Sequence, residues 1–97
     1  MSRAYWVNTF RTVHDPSRLA AYTAMAGSVM EAHGGRFLAR GMPTRVFEHG
    51  VMERTTIIEF PSVEHAVTAY ESAAYQRALA VLGDAADRDI RIVEAAP

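Results

Sequence analysis

Glu59-Phe60-Pro61-Ser62 compresses a strand end, a turn and a helix start into one short stretch of chain. Upstream of it, Arg54-Thr55-Thr56-Ile57-Ile58-Glu59-Phe60 is β-branched and aromatic, the composition of a strand. Downstream, Val63, Ala66, Val67 and Tyr70 recur at helical spacing. Pro61 closes the strand because it has no amide hydrogen to give to a ladder. Ser62 offers its hydroxyl to the unpaired amides of the helix that follows.

The same signals organise the rest of the chain. Ala4 to Phe10 is aromatic and β-branched and predicts a first strand. Asp15-Pro16 predicts a helix start, with Asp15 as cap and Pro16 where a missing amide hydrogen costs nothing. Leu19, Tyr22, Ala26, Val29, Met30 and His33 fall on one stripe of that helix, and Gly34-Gly35 ends it. Phe37 to Gly41 and Arg45 to Glu48 read as two halves of one strand, interrupted by Met42-Pro43 as at a bulged edge. His49 to Glu53 supplies the reversal into the Arg54 to Phe60 strand. Ser72 is placed to break the second helix and cap a further segment carrying Tyr75, Leu79 and Leu82, which Gly83 ends. Arg88 to Glu94 alternates as a final strand. The order is βαββαβ, which predicts a ferredoxin-like α+β fold: a four-stranded antiparallel sheet, helices on one face, sheet order fourth, first, third, second.

Strand alternation carries a further expectation. Thr56, Ile58 and Phe60 share one face of the third strand and Thr55, Ile57 and Glu59 the other; the first strand sets Trp6, Asn8 and Phe10 against Tyr5, Val7 and Thr9. Both faces are substantially apolar, yet two helices cover only one. The uncovered face calls for a second copy of the same sheet, so a homodimer is expected.

Composition narrows the function classes. The 97 residues suffice for one domain, taken as 1–97, with a thin core. The formal net charge is -1 and the signs alternate, so no basic face is available for nucleic acid. No apolar run approaches a membrane span and the first residues do not read as a signal peptide, so a cytoplasmic protein is expected. The chain has no cysteine, which removes disulfides, thiol catalysis and thiolate metal sites. No histidine pair has the spacing of a zinc motif, and no glycine-rich loop precedes a helix to cradle phosphate. The third strand also lacks the Lys/Arg-Gly-aromatic pattern of an RNA-recognition motif. No metal and no cofactor are expected.

Asn8 and Glu59 lie on the two central strands, where a polar side chain facing the interior needs a partner. Glu59 reads as a proton shuttle against apolar walls, as a structural ion-pair partner of Arg40, Arg54 or Arg91, or as a strand-end carboxylate partly in water. His33, at a helix C-terminus beside two glycines, reads either as a general base or as a cap. Arg36, Arg40 and Arg54 cluster near the second and third strands and read either as an anion clamp or as solvated edge charges. Among Tyr5, Trp6, Tyr22, Tyr70 and Tyr75 most are expected in the core, with Tyr70 taken as a candidate pocket wall.

The sequence resembles the domain of unknown function 1330 family. The resemblance is carried by Ala4-Tyr5, Asp15-Pro16, Tyr22, His33-Gly34-Gly35-Arg36-Phe37-Leu38, Arg40-Gly41, Glu48, Arg54, Ile58-Glu59-Phe60-Pro61-Ser62 and Tyr70 to Gln76. Met42 stands where members often have a second glycine, and Val51-Met52 replaces a loop that is often Trp- or Pro-containing. The resemblance implies the dimeric α/β-barrel form of the ferredoxin-like fold, but no agreed reaction. Other dimeric α/β barrels include cofactor-free monooxygenases, isomerases and haem-dependent enzymes as well as ligand-sensing domains, so fold alone does not choose. Two functions are carried forward. One is a cofactor-free enzyme acting on a small organic molecule, with Glu59 or His33 as base, Arg40 or Arg54 holding an anionic group, Asn8 orienting it and Tyr70 beside it. The other is a non-catalytic small-molecule-binding or assembly module.

Overall fold

The computed structural model describes residues 2–97; Met1, part of the expected domain range and of the leader reading, lies outside the described residues. The chain runs β1 (Ala4–Val13), α1 (Pro16–Ala32), β2 (Arg36–Gly41), β3 (Thr55–Phe60), α2 (Val63–Glu71), α3 (Ala73–Leu82) and β4 (Ala86–Glu94). The sheet order is β2-β3-β1-β4 and every neighbouring pair is antiparallel. This is the ferredoxin-like arrangement that the sequence predicts.

Local chemistry sets the boundaries. The Asp15 carboxylate accepts hydrogen bonds from the Ser17 hydroxyl and from the amides of Ser17 and Arg18, and so caps α1. Those bonds, the Ser17 hydroxyl first, hold the Asp15 carboxyl below the usual carboxylate range. Gly34 leaves the helix at φ 86°, where a side chain is strained. Gly35 is needed for space, since a Cβ there would stand 2.8 Å from the Met30 carbonyl oxygen and 3.0 Å from the Phe60 ring. The Ser72 hydroxyl donates to the Ala69 carbonyl and accepts from the Tyr75 amide, so one side chain ends α2 and starts α3.

Pairing register assigns the faces. Tyr5 sits opposite Glu59, Trp6 opposite Ile58 and Asn8 opposite Thr56. Ala4, Trp6, Asn8, Phe10, Thr56, Ile58 and Phe60 are buried beneath the helices. They pack with Leu19, Tyr22, Ala26 and Met30 of α1, Ala66 and Ala69 of α2, and Tyr75, Ala78 and Leu82 of α3. On the other face Tyr5, Val7, Thr9, Thr55, Ile57 and Glu59 are only half-buried within the protomer.

The second strand departs from expectation. It stops at Gly41, which pairs with Thr55, and Arg45 to Glu48 is not strand. Pro43 cannot donate to a ladder, the Gly50 amide closes a turn on the Phe47 carbonyl, and Glu48 has φ 54°. Residues 42–54 therefore form a loop that leaves Met42, Val51, Met52 and above all Phe47, 74% accessible, exposed. The bulge lies earlier than the Met42-Pro43 break: Phe37 pairs with Ile58 and Ala39 with Ile57, leaving Leu38 as the extra residue. No helix among the described residues is long and apolar enough to cross a membrane.

Candidate functional site

A cavity of about 40 Å³ lies between α1 and the sheet. That is room for roughly three water molecules, and the cleft opens outward from there. Its floor is a polar row that runs across three strands in register, Arg40 on β2, Thr56 on β3 and Asn8 on β1. Trp6, Phe10, Phe37 and Ile58 of the sheet side, and Tyr22, Ala26 and Met30 of α1, supply apolar walls. Arg54, just before β3, completes the rim. Gly27 faces Arg40, and a Cβ there would stand 4.0 Å from Arg40 Nη1.

Two features make this cavity chemically distinct. Asn8 is 6% exposed, and its Oδ1 has no hydrogen-bond partner among the described residues. Buried side-chain polar atoms are usually paired, so an orphaned acceptor marks a place for a ligand or water. Second, neither Arg40 nor Arg54 has a carboxylate within ion-pair distance among the described residues, a state they share with Arg45, Arg77 and Arg88, whereas Arg3, Arg11, Arg18, Arg36 and Arg91 each have one. Arg40 instead rests over the Phe37 ring at 4.2 Å.

A buried network adjoins this cavity. Arg88 donates to Tyr22 Oη at 2.9 Å and to Tyr75 Oη at 3.1 Å, and the two phenol oxygens are 2.6 Å apart. Burial, then the neighbouring Tyr22, pushes the Tyr75 phenol well above its ordinary pKa. Burial works against the charge on Arg88, but the two tyrosines outweigh it and hold its pKa above the ordinary value.

The sequence-predicted residues divide among separate places. Asn8, Arg40 and Arg54 meet in the cavity. Glu59 does not join them: it pairs with Tyr5, so it faces the helix-free side, one residue out of phase with the buried Ile58 and Phe60. There it accepts from Arg36 at 3.1 Å, Arg3 at 3.4 Å and Tyr5 at 3.3 Å. Two guanidiniums and a phenol replace the expected apolar walls, and its ion-pair partners are Arg3 and Arg36 rather than Arg40, Arg54 or Arg91. His33 donates its Nδ1 proton to the Val29 carbonyl at 2.9 Å and borders a groove with Pro61, Glu64 and His65. Tyr70 packs on Trp6 at 5.8 Å and lines a groove with Arg88, Ile90 and Ile92. Thr56, Phe37 and Tyr22 line the cavity and were not among the expected site residues. Thr56 was legible as Asn8's face-mate, but nothing in the sequence joins Tyr22 to Arg88. Among the described residues no three His, Asp or Glu side chains converge as a metal site.

Glu59→Gln accordingly carries an expected outcome. It should lower stability by about 1 kcal/mol, because two ion pairs with exposed arginines become hydrogen bonds from a guanidinium to a neutral amide oxygen. Affinity for a cavity ligand should stay unchanged, since the carboxylate is on the other side of the sheet. Chemical denaturation and ligand titration of both proteins check the two halves separately.

Fold and site together define a ferredoxin-like α+β protein with a small, arginine-rimmed cavity between its helices and its sheet. The chain belongs to the family described as domain of unknown function DUF1330, whose model matches residues 3–96. Similar solved structures include a protein of unknown function from Rhodopseudomonas palustris, at 19% identity and TM-score 0.78, covering 99% of this chain and 84% of that one. SnoaB, a cofactor-independent oxygenase from Streptomyces nogalater, matches at 15% identity and TM-score 0.68 over 100% of this chain and 96% of its own. A dimeric ferredoxin-like protein of unknown function from Jannaschia sp. CCS1 matches at 12% identity and TM-score 0.75 over 96% and 99%. At these identities the likeness is one of fold. No curated protein matches the sequence.

Proposed function

We propose that this protein binds a small organic carboxylate in the cavity between α1 and the sheet, and does so as a homodimer. The observation that carries the reading is the meeting, in one apolar-walled cavity, of two guanidiniums without carboxylate partners. Arginine rims suit carboxylates because the planar fork matches two oxygens at once. Dimerisation through the helix-free face follows from the half-buried Val7 and Ile57 there, and structural neighbours described as dimeric support it. No metal or cofactor enters this reading, and a cytoplasmic location accords with a chain that has no cysteine.

The test uses propionate as probe, titrated into the protein while amide shifts are followed by NMR. Arg40→Met and Arg54→Met keep an apolar stem and remove the charge. Each should weaken propionate binding about tenfold or more, the typical worth of a charge-assisted hydrogen bond. Unchanged affinity in both variants would refute the anion site.

The likeness to SnoaB favours a second reading, a cofactor-free enzyme in which Arg40 and Arg54 stabilise an enolate of the bound molecule. Glu59 or His33 would then take the proton. Neither lines the cavity in the protomer, and for that reason binding without turnover leads.

A further inference from the structure

Burial limits where the protons of the Tyr22, Tyr75 and Arg88 network can go. A guanidinium only donates, so both phenol oxygens accept from Arg88. The 2.6 Å contact between the phenols takes one further proton. Tyr75 is 0% exposed, and its hydroxyl has no neighbour within hydrogen-bond distance except Tyr22 and Arg88 among the described residues. Its proton therefore goes to Tyr22 Oη. The proton of Tyr22 itself is left without an acceptor among the described residues, and Tyr22 is a wall of the cavity. The same cavity holds the reverse case, Asn8 Oδ1, an acceptor with no donor. The two residues that carry this spare donor and spare acceptor thus line one small cavity, and no hydrogen bond joins them.

From this juxtaposition we infer that Tyr22 and Asn8 form a hydroxyl-recognition site, which makes the ligand a hydroxy- or enol-carboxylate rather than a plain carboxylate. A ligand hydroxyl oxygen accepts from Tyr22 while its proton goes to Asn8, and Arg40 and Arg54 take the carboxylate. A hydroxyl both donates and accepts, so it satisfies the amide of Asn8 in either orientation. Tyr75 and Arg88 act as positioning residues, because their bonds fix which way the Tyr22 proton is offered. Water, which also donates and accepts, is chemically able to fill the same role in the free protein. A ligand lacking the hydroxyl must either leave that water in place or strand two buried polar groups. This inference rests on the anion-site reading above for its carboxylate half only.

Lactate and propionate, which differ by that hydroxyl, separate the two claims. Titrated by NMR, wild-type protein should bind lactate more tightly than propionate, on the order of tenfold. Tyr22→Phe should bring the ratio to about one; loss of packing alone would weaken both ligands together and leave the ratio as it is in wild type. Asn8→Ala breaks no hydrogen bond seen in the structure, so it serves as a second variant with the same expected collapse of the ratio. Arginine-dependent propionate binding with no preference for lactate in wild type, or a preference that survives Tyr22→Phe and Asn8→Ala, would overturn the hydroxyl site and leave the anion site standing. If wild-type protein binds neither probe, both fall.

Discussion

Trp6→Ala is expected to remove about 3–5 kcal/mol of folding stability, the cost of emptying a large buried aromatic site. Trp6 is 2% exposed and its ring lies 6.1 Å from Phe60, 5.8 Å from Tyr70 and 5.5 Å from Tyr75, the last edge-on. It thus joins β1 to β3 and to both of the short helices. A domain of this length has only about 5–15 kcal/mol in total, so the variant should be close to unfolding at room temperature. Its melting temperature should fall by about 20 °C, and Trp6→Phe should recover most of that. Calorimetry of the two variants checks the claim. A loss below about 5 °C for Trp6→Ala would show that the aromatic block is not what unites the layers.

Ile57→Asp should have the largest effect on assembly. In the proposed homodimer Ile57 sits near the centre of the helix-free face, flanked by Val7 on the neighbouring strand, with which it pairs. A stable interface there would bury on the order of 1,600 Å² in total. Two-fold symmetry places the substitution at the interface twice, and each carboxylate would be desolvated without a partner at a cost of several kcal/mol. The dissociation constant should rise at least about 1,000-fold, equivalent to ~4 kcal/mol. The protomer itself should still fold, because Ile57 is only half-buried within it. Light scattering over a dilution series reads both species. A wild-type protein already monomeric at micromolar concentration would defeat the argument from two apolar faces.

Much of the fold was legible because its punctuation is chemical. Asp15-Pro16, Gly34 and Ser72 mark their boundaries by hydrogen bonds and φ values that few other residues provide, and the structure uses each of them so. Arg45 to Glu48 misled because strand propensity describes a side chain's fit to a pleat and says nothing of whether a partner strand exists; β3 begins only at Thr55. The site was half legible. Asn8, Arg40 and Arg54 are readable in the sequence as polar candidates, whereas Glu59 belongs on the face opposite Asn8, because strict alternation separates 59 from 58 and the antiparallel partner of 59 is Tyr5. The Tyr22, Tyr75 and Arg88 contacts join residues 53 and 66 positions apart in the chain, and no local pattern announces them.

The extra residue in β2 has a consequence for how relatives of this chain can vary in length. By simple alternation Phe37 and Arg40 would lie on opposite sides of the sheet; with Leu38 set out of the ladder, both turn toward α1. Removing Leu38 would restore regular pairing and still leave the arginine opposite Thr56, so a one-residue deletion at this edge is silent for the cavity. A one-residue change inside β1 or β3 has no such slack, because it exchanges the two sides of the sheet and turns the cavity-facing row onto the helix-free face. The edge strand is thus a tolerant margin in which related sequences can gain or lose a residue, while the central pair behaves as a fixed ruler against which the rest of the molecule is measured.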